Sequence, residues 1–322
     1  MSKNNCQWRN WLLGASLALA SAATFAQSVA VVSFVEHPAL DAMRDGVAEA
    51  LAEAGYDQNN KDFSWQFQSA QGNNAVAAQI ARKFVGDKPD VIVAIATPAA
   101  QAVVAATRRI PVVYGAVTDP VGAQLVPSLQ ASDTNVTGVS DALPIDDQIA
   151  LIQQLLPQAK RIGVVYNPGE ANSVAVLEQL RDKLPEAGMS LVEASAPRTL
   201  DVGAAARSLI GRVDAIYTST DNNVVSAYEA LVKEGNEADI PLIAADVDSV
   251  KRGAVAALGQ KYHEMGKQAG RMAVRILKGE SPGDMPSEGG TELELYLNEN
   301  AAREQGVTLP QALLDQAAVV LR

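Results

Sequence analysis

Apolar and polar positions along the chain fall into two alternating patterns. Short, continuous apolar runs recur at residues 29–34, 91–96, 112–115 and 137–139, and again at 162–166, 215–219, 242–245 and 254–257. Such runs, bounded by turn residues, mark parallel strands covered on both faces. Residues 65–69 are more polar and alternate, and 190–194 supplies one further strand. Between the runs, a helical period predicts helices over 40–54, 75–85, 99–108, 146–155, 173–184, 201–210, 224–235 and 262–277. Gly55 and Gly188 stand where helix C-caps are expected. A strand at 292–297 and a helix from Pro310 close the chain. Strands alternating with helices of this length predict a doubly wound α/β class.

The pattern occurs twice. Asp90 opens an apolar run that reaches Thr97-Pro98, passes a helix and arrives at Ile110-Pro111; Asp214 does the same through Thr220-Asp221-Asn222 to Ile240-Pro241. Upstream of each copy lies a matching strand, loop and helix, ending at Gly55 and Gly188. The expectation is two similar doubly wound parallel-sheet lobes joined by a hinge, with the site on loops facing the cleft. One lobe should comprise residues 27–141 plus about 258–283, the other 142–257 plus about 284–322.

Residues 1–26 have the make-up of a signal peptide: Lys3 and Arg9, an apolar stretch over 11–20, and a small residue at Ala26 where cleavage is expected. That stretch is short against the roughly 20 residues of a membrane span. The single cysteine, Cys6, would leave with the leader, so no disulfide and no lipid anchor are expected, and the periplasm is the simplest destination. The formal net charge of −11 becomes two units more negative without Lys3 and Arg9. So acidic a surface argues against nucleic acid or an anionic membrane as partner.

In open parallel sheets ligands bind beyond the carboxyl ends of the strands. Those positions carry Ser33, Phe34, His37, Thr97, Pro98 and Asp119 in the first half, and Tyr166, Asn167, Asn172, Ser173, Thr220, Asp221, Asn222 and Asp246 in the second. Thr97, Asn172, Ser173 and Asn222 also lie near helix starts, where free N–H groups can receive a carboxylate. Ser, Thr, Asp and Asn there are more often ordinary N-caps, and the balance shifts because six such loops fall at equivalent strand ends of two related halves. Asp221 or Asp246 would take a ligand ammonium, Thr97 and Ser173 its carboxylate, and Phe34 or Tyr166 would pack on the side chain. Phosphate-binding glycine loops, zinc motifs and nucleophile elbows are all missing from the sequence, so neither cofactor nor metal is expected.

Several segments together resemble one family. These are Ser33-Phe34 with His37-Pro38 and Asp41; residues 117–121 and 135–140; the block 163–173 containing Tyr166-Asn167-Pro168-Gly169; Thr220-Asp221-Asn222; and residues 248–253 and 275–280. In order along nearly the whole chain they resemble the TrpX-type substrate-binding proteins of ABC importers. The resemblance implies a type I periplasmic binding fold with three crossovers, a monomer enclosing a small ligand, and delivery to a membrane permease driven by a separate ATPase. It implies an aromatic amino acid as ligand and no enzymatic activity. An exported sensor feeding a signalling receptor, or a small hydrolase using His37 and a carboxylate, remain the alternatives.

Overall fold

The computed structural model describes residues 26–57, 59–290 and 292–322. The expected leader therefore lies, Ala26 apart, outside the described residues. Among these, strands β1 (Gln27–Ser33), β2 (Phe63–Ser69), β3 (Val91–Ile95), β4 (Val112–Val117) and β5 (Val136–Ser140) form one sheet. Strands β6 (Arg161–Tyr166), β7 (Ser190–Ser195), β8 (Ala215–Thr218), β9 (Leu242–Ala244) and β10 (Ala256–Gly259) form a second. The short β11 (Glu288–Gly289) returns to the first sheet, and β12 (Glu294–Asn298) and β13 (Val319–Leu321) extend the second.

The orders are β2-β1-β3-β4-β5-β11 and β7-β6-β8-β9-β10-β12-β13. The first five strands of each lobe thus share one doubly wound order, with its switch point between the first and third strands. Pairing is parallel except between β10 and β12. The central β3 and β4 are buried at every position, as their unbroken apolar runs require. The edge strand β2 carries the polar alternation instead.

The repeated Asp and Ile-Pro have an architectural explanation. Asp90 accepts from the Ser28 N–H at 2.7 Å, and Asp214 accepts from the N–H groups of Lys160 and Arg161, both at 2.8 Å. Each ties the start of its strand to the neighbour. The carbonyls of Pro111 and Pro241 likewise accept from Ile92 and Ile216, each at 2.9 Å. These residues set register rather than bind a ligand.

The chain passes between sheets after Ser140, between Gly259 and Tyr262, and between Gly289 and Glu294. The last passage falls later than the turn-rich stretch near Met285 suggested. Met285 is still packed in the first lobe's core, and Glu288 and Gly289 pair with Val139 and Ser140. The helix Tyr262–Leu277 belongs to the first lobe, where Met265, Ala269 and Met272 enter its core. The helix expected over 224–235 is two, Asn222–Ser226 and Tyr228–Glu237, broken at Ala227. Nearby, Arg252 Nη1 donates to the Val225 carbonyl at 2.6 Å, the acceptor a continuous helix would use. No helix among the described residues is long and apolar enough to cross a membrane.

Candidate ligand site between the lobes

Each lobe turns the carboxyl ends of its strands toward the other, and a narrow cavity lies between them. From the first lobe it is lined after β1 by His37, Ala39 and Leu40, after β3 by Ala96, at the end of β4 by Ala116 and Thr118, and after β5 by Asp141. Asn172, Thr220, Asn222, Val225 and Asp246 line it from the second, and Tyr262 from the chain's second passage. Thr118 and Thr220 meet across the cleft with hydroxyls 3.4 Å apart. Ala171 of the second lobe packs on the core of the first.

The first lobe offers hydrogen-bond donors. Ala96 has φ 75° and ψ 151°, a conformation costly for any residue with a Cβ, and Ala116 has φ 54°. The Ala116 strain sits where the β4–β5 register shifts between Gly115 and Val117. Ala96 leads into the helix Thr97–Ala106, which no side chain caps, so first-turn N–H groups stay open. The buried Thr97 hydroxyl has no partner among the described residues. Strain and unused donors together at one strand end suit an anionic group.

The other polar feature of the cavity is uncompensated acid. Asp141 accepts from Thr118 Oγ1 at 2.9 Å and Tyr262 Oη at 2.7 Å, and Asp246 accepts from the Ser249 N–H at 2.9 Å and its hydroxyl at 2.6 Å. Burial raises both carboxyls above the usual range, against the lowering effect of these hydrogen bonds. Neither forms an ion pair among the described residues. Arg252, whose charge reaches Asp246, is itself paired with Glu229 at 2.7 Å. His37 is held neutral, pushed down to about 3 by burial and then by the positive charge of Arg252.

Five of the fourteen residues expected at the site line this cavity: His37, Asn172, Thr220, Asn222 and Asp246. Asp221, expected to face an ammonium, does not. It caps its own helix through the Val224 N–H at 3.0 Å and accepts from the Asn167 N–H and Ser173 Oγ, both at 2.6 Å. Those three donors occupy a carboxylate with no exposed surface, and they occupy Ser173 as well. Beside it Glu170 accepts from Asn167, Asn172 and Asn222, and rises to about 7 through burial and then the charge of Asp221.

Thr97 and Pro98 are buried just behind the wall, and the Ser33 hydroxyl donates to the Val35 carbonyl at 2.8 Å. Phe34 and Asn167 face a wider groove at the cleft mouth instead, with Gln71, Pro168 and Leu200. Tyr166 points to neither space and lies by Glu193 and Arg181. Asp119 closes a turn onto the Gly122 N–H at 2.8 Å. Neither aromatic residue expected to clamp a side chain enters the cavity; the aromatic that does is Tyr262. Asp141 escaped the sequence reading because its segment read as a lobe crossing. The signal for Asp141 was present, since β5 also ends at the cleft.

Comparison with known proteins gives a consistent result. The model of the "ABC transporter substrate binding protein" family matches residues 28–321. The "Tyrosine-binding protein" of Clostridioides difficile is 40% identical over 277 residues, 86% of this chain and 80% of that protein. The structure of the ABC domain in complex with L-Trp from Streptococcus pneumonia superposes with a TM-score of 0.88 at 32% identity, covering 92% of this chain and 99% of that one. The ligand-free, open structure of a substrate binding protein with adhesive properties from Clostridium difficile, 37% identical with the same coverage, superposes with a TM-score of 0.69.

Proposed function

The chain belongs to the ABC transporter substrate binding protein family, and from that premise we propose that it is a periplasmic receptor that closes around one aromatic α-amino acid and presents it to a membrane permease driven by a separate ATPase. The observation that carries this reading is the pair Asp141 and Asp246, two buried carboxylates lining one cavity without a cation. Buried charge without a partner is strongly unfavourable. A ligand ammonium lodged there supplies the missing charge. The ligand carboxylate then faces the open N–H groups that follow Ala96.

The relative named for tyrosine and the structure holding L-Trp support an aromatic amino acid. Lobe arrangement supports closure around a ligand. The chain superposes better on the tryptophan complex than on the open, ligand-free relative, although it is less identical to the former. The Thr118–Thr220 contact across the cleft belongs to such a closed state. Calorimetric titration of the purified protein with a panel of amino acids tests the reading. Tyrosine, tryptophan or phenylalanine should bind, and Asp141→Asn or Asp246→Asn should each weaken binding at least about tenfold, or ~1.4 kcal/mol. Affinity unchanged in both variants would remove these carboxylates from the site.

A further inference from the structure

The cavity has two distinct ends because the strands that line it have a fixed order. In the first lobe Asp141 follows β5 and His37 follows β1, three strand intervals away, or roughly 14 Å. In the second, Asp246 follows β9 and Asn172 lies beyond β6, two intervals away. The acidic pair therefore marks one end, and His37 and Asn172 mark the other. Ala39 and Leu40, which follow β1 with His37, give that second end apolar walls.

Asn172 carries an unused acceptor there. Its Nδ2 donates to Glu170 Oε2 at 3.2 Å and to the Thr220 carbonyl at 3.1 Å, which fixes the orientation of the amide. Its Oδ1 is buried and has no partner among the described residues, and the residue is 3% exposed. A carboxylate cannot satisfy it, since both groups only accept. His37 offers the complement. Its Nδ1 accepts from the Leu40 N–H at 3.5 Å as the cap of the helix Pro38–Glu53, so the proton of the neutral ring sits on Nε2.

We propose that Asn172 Oδ1 and His37 Nε2–H together recognise a hydroxyl at the tip of the ligand's side chain, which selects a phenol over an unsubstituted phenyl ring. A hydroxyl donates to the first and accepts from the second; a phenyl ring leaves both unpaired in an apolar surround. The proposal rests on the amino-acid reading above. It adds the residues that choose among aromatic ligands.

Titration calorimetry with L-tyrosine and L-phenylalanine decides it. The wild type should prefer tyrosine at least about tenfold. Asn172→Ala and His37→Asn should each bring the ratio of the two affinities to within about threefold. The second variant keeps a capping side chain on the helix and guards against a folding artefact. Equal affinities in the wild type, as expected if water alone satisfies Asn172, would overturn this subsite and leave the amino-acid reading standing. A preference that survives both substitutions would overturn it as well. Binding of neither amino acid would overturn this subsite, and the parent reading would fall with it unless tryptophan binds.

Discussion

Glu170 is the residue where acidity should be felt most plainly. It is 1% exposed, has no cation beside it among the described residues, and rises to about 7, against about 4.3 for a glutamate in an unfolded chain. Between those values the native protein holds a proton that the unfolded chain has lost, so stability falls as pH rises through the window. Calorimetric melting of the unliganded protein should give a lower Tm at pH of about 8 than at about 5.5, and Glu170→Gln should flatten the dependence. A wild-type profile as flat as the variant's would contradict this account of Glu170. Asp141 and Asp246 have the same sign while the cavity is empty. A ligand ammonium favours their charged forms, so binding should weaken as pH falls and they take up protons. At this scale the sequence was half legible. A strand-end carboxylate can be located by pattern, but the donors that consume it cannot. Asp221 is taken by Asn167 and Ser173, which stand 54 and 48 residues away in the chain.

Among the elements, the helix Tyr262–Leu277 has the tightest constraint. It crosses the helix Pro38–Glu53 so closely that a Cβ on Gly266 would lie 2.1 Å from the Met43 carbonyl oxygen, and one on Gly46 2.1 Å from that of His263. Backbone atoms cannot yield as a flexible side chain does. Gly266→Ala should therefore destabilise the first lobe by about 1–3 kcal/mol, measurable as a lower urea midpoint. An unchanged midpoint would mean that the two helices separate easily. This helix was legible with its full bounds, because its apolar stripe repeats over four turns. The buried strands β3 and β4 were legible for a similar reason, as unbroken apolar runs. By contrast β11 is only Glu288 and Gly289, joined to β5 by backbone pairing, and it carries no apolar signature. That missing signature displaced the expected third crossing. Ala96 was equally hidden: nothing in an alanine announces a φ of 75°.

For the molecule as a whole, the internal repeat supplies the frame and the differences between its copies supply the chemistry. Asp90 and Asp214 do one structural task twice. The strand ends diverge: Ala96, Thr97 and Ala116 open donors in one lobe, while Asp246 brings an unpaired carboxylate from the other. Asp141, at the first passage between lobes, adds the second acid where the lobes hinge. Closure around a zwitterion satisfies both sets at once, and a ligand that binds only the folded chain raises its apparent stability by mass action. The central claim is that the ligand is held by both of its charges. Titration calorimetry comparing L-tyrosine with 3-(4-hydroxyphenyl)propionic acid, which keeps the ring, hydroxyl and carboxylate but lacks the ammonium, tests it most directly. The account predicts that removing the ammonium weakens binding by at least about a hundredfold, or ~2.7 kcal/mol. Equal affinity for the two compounds would contradict it.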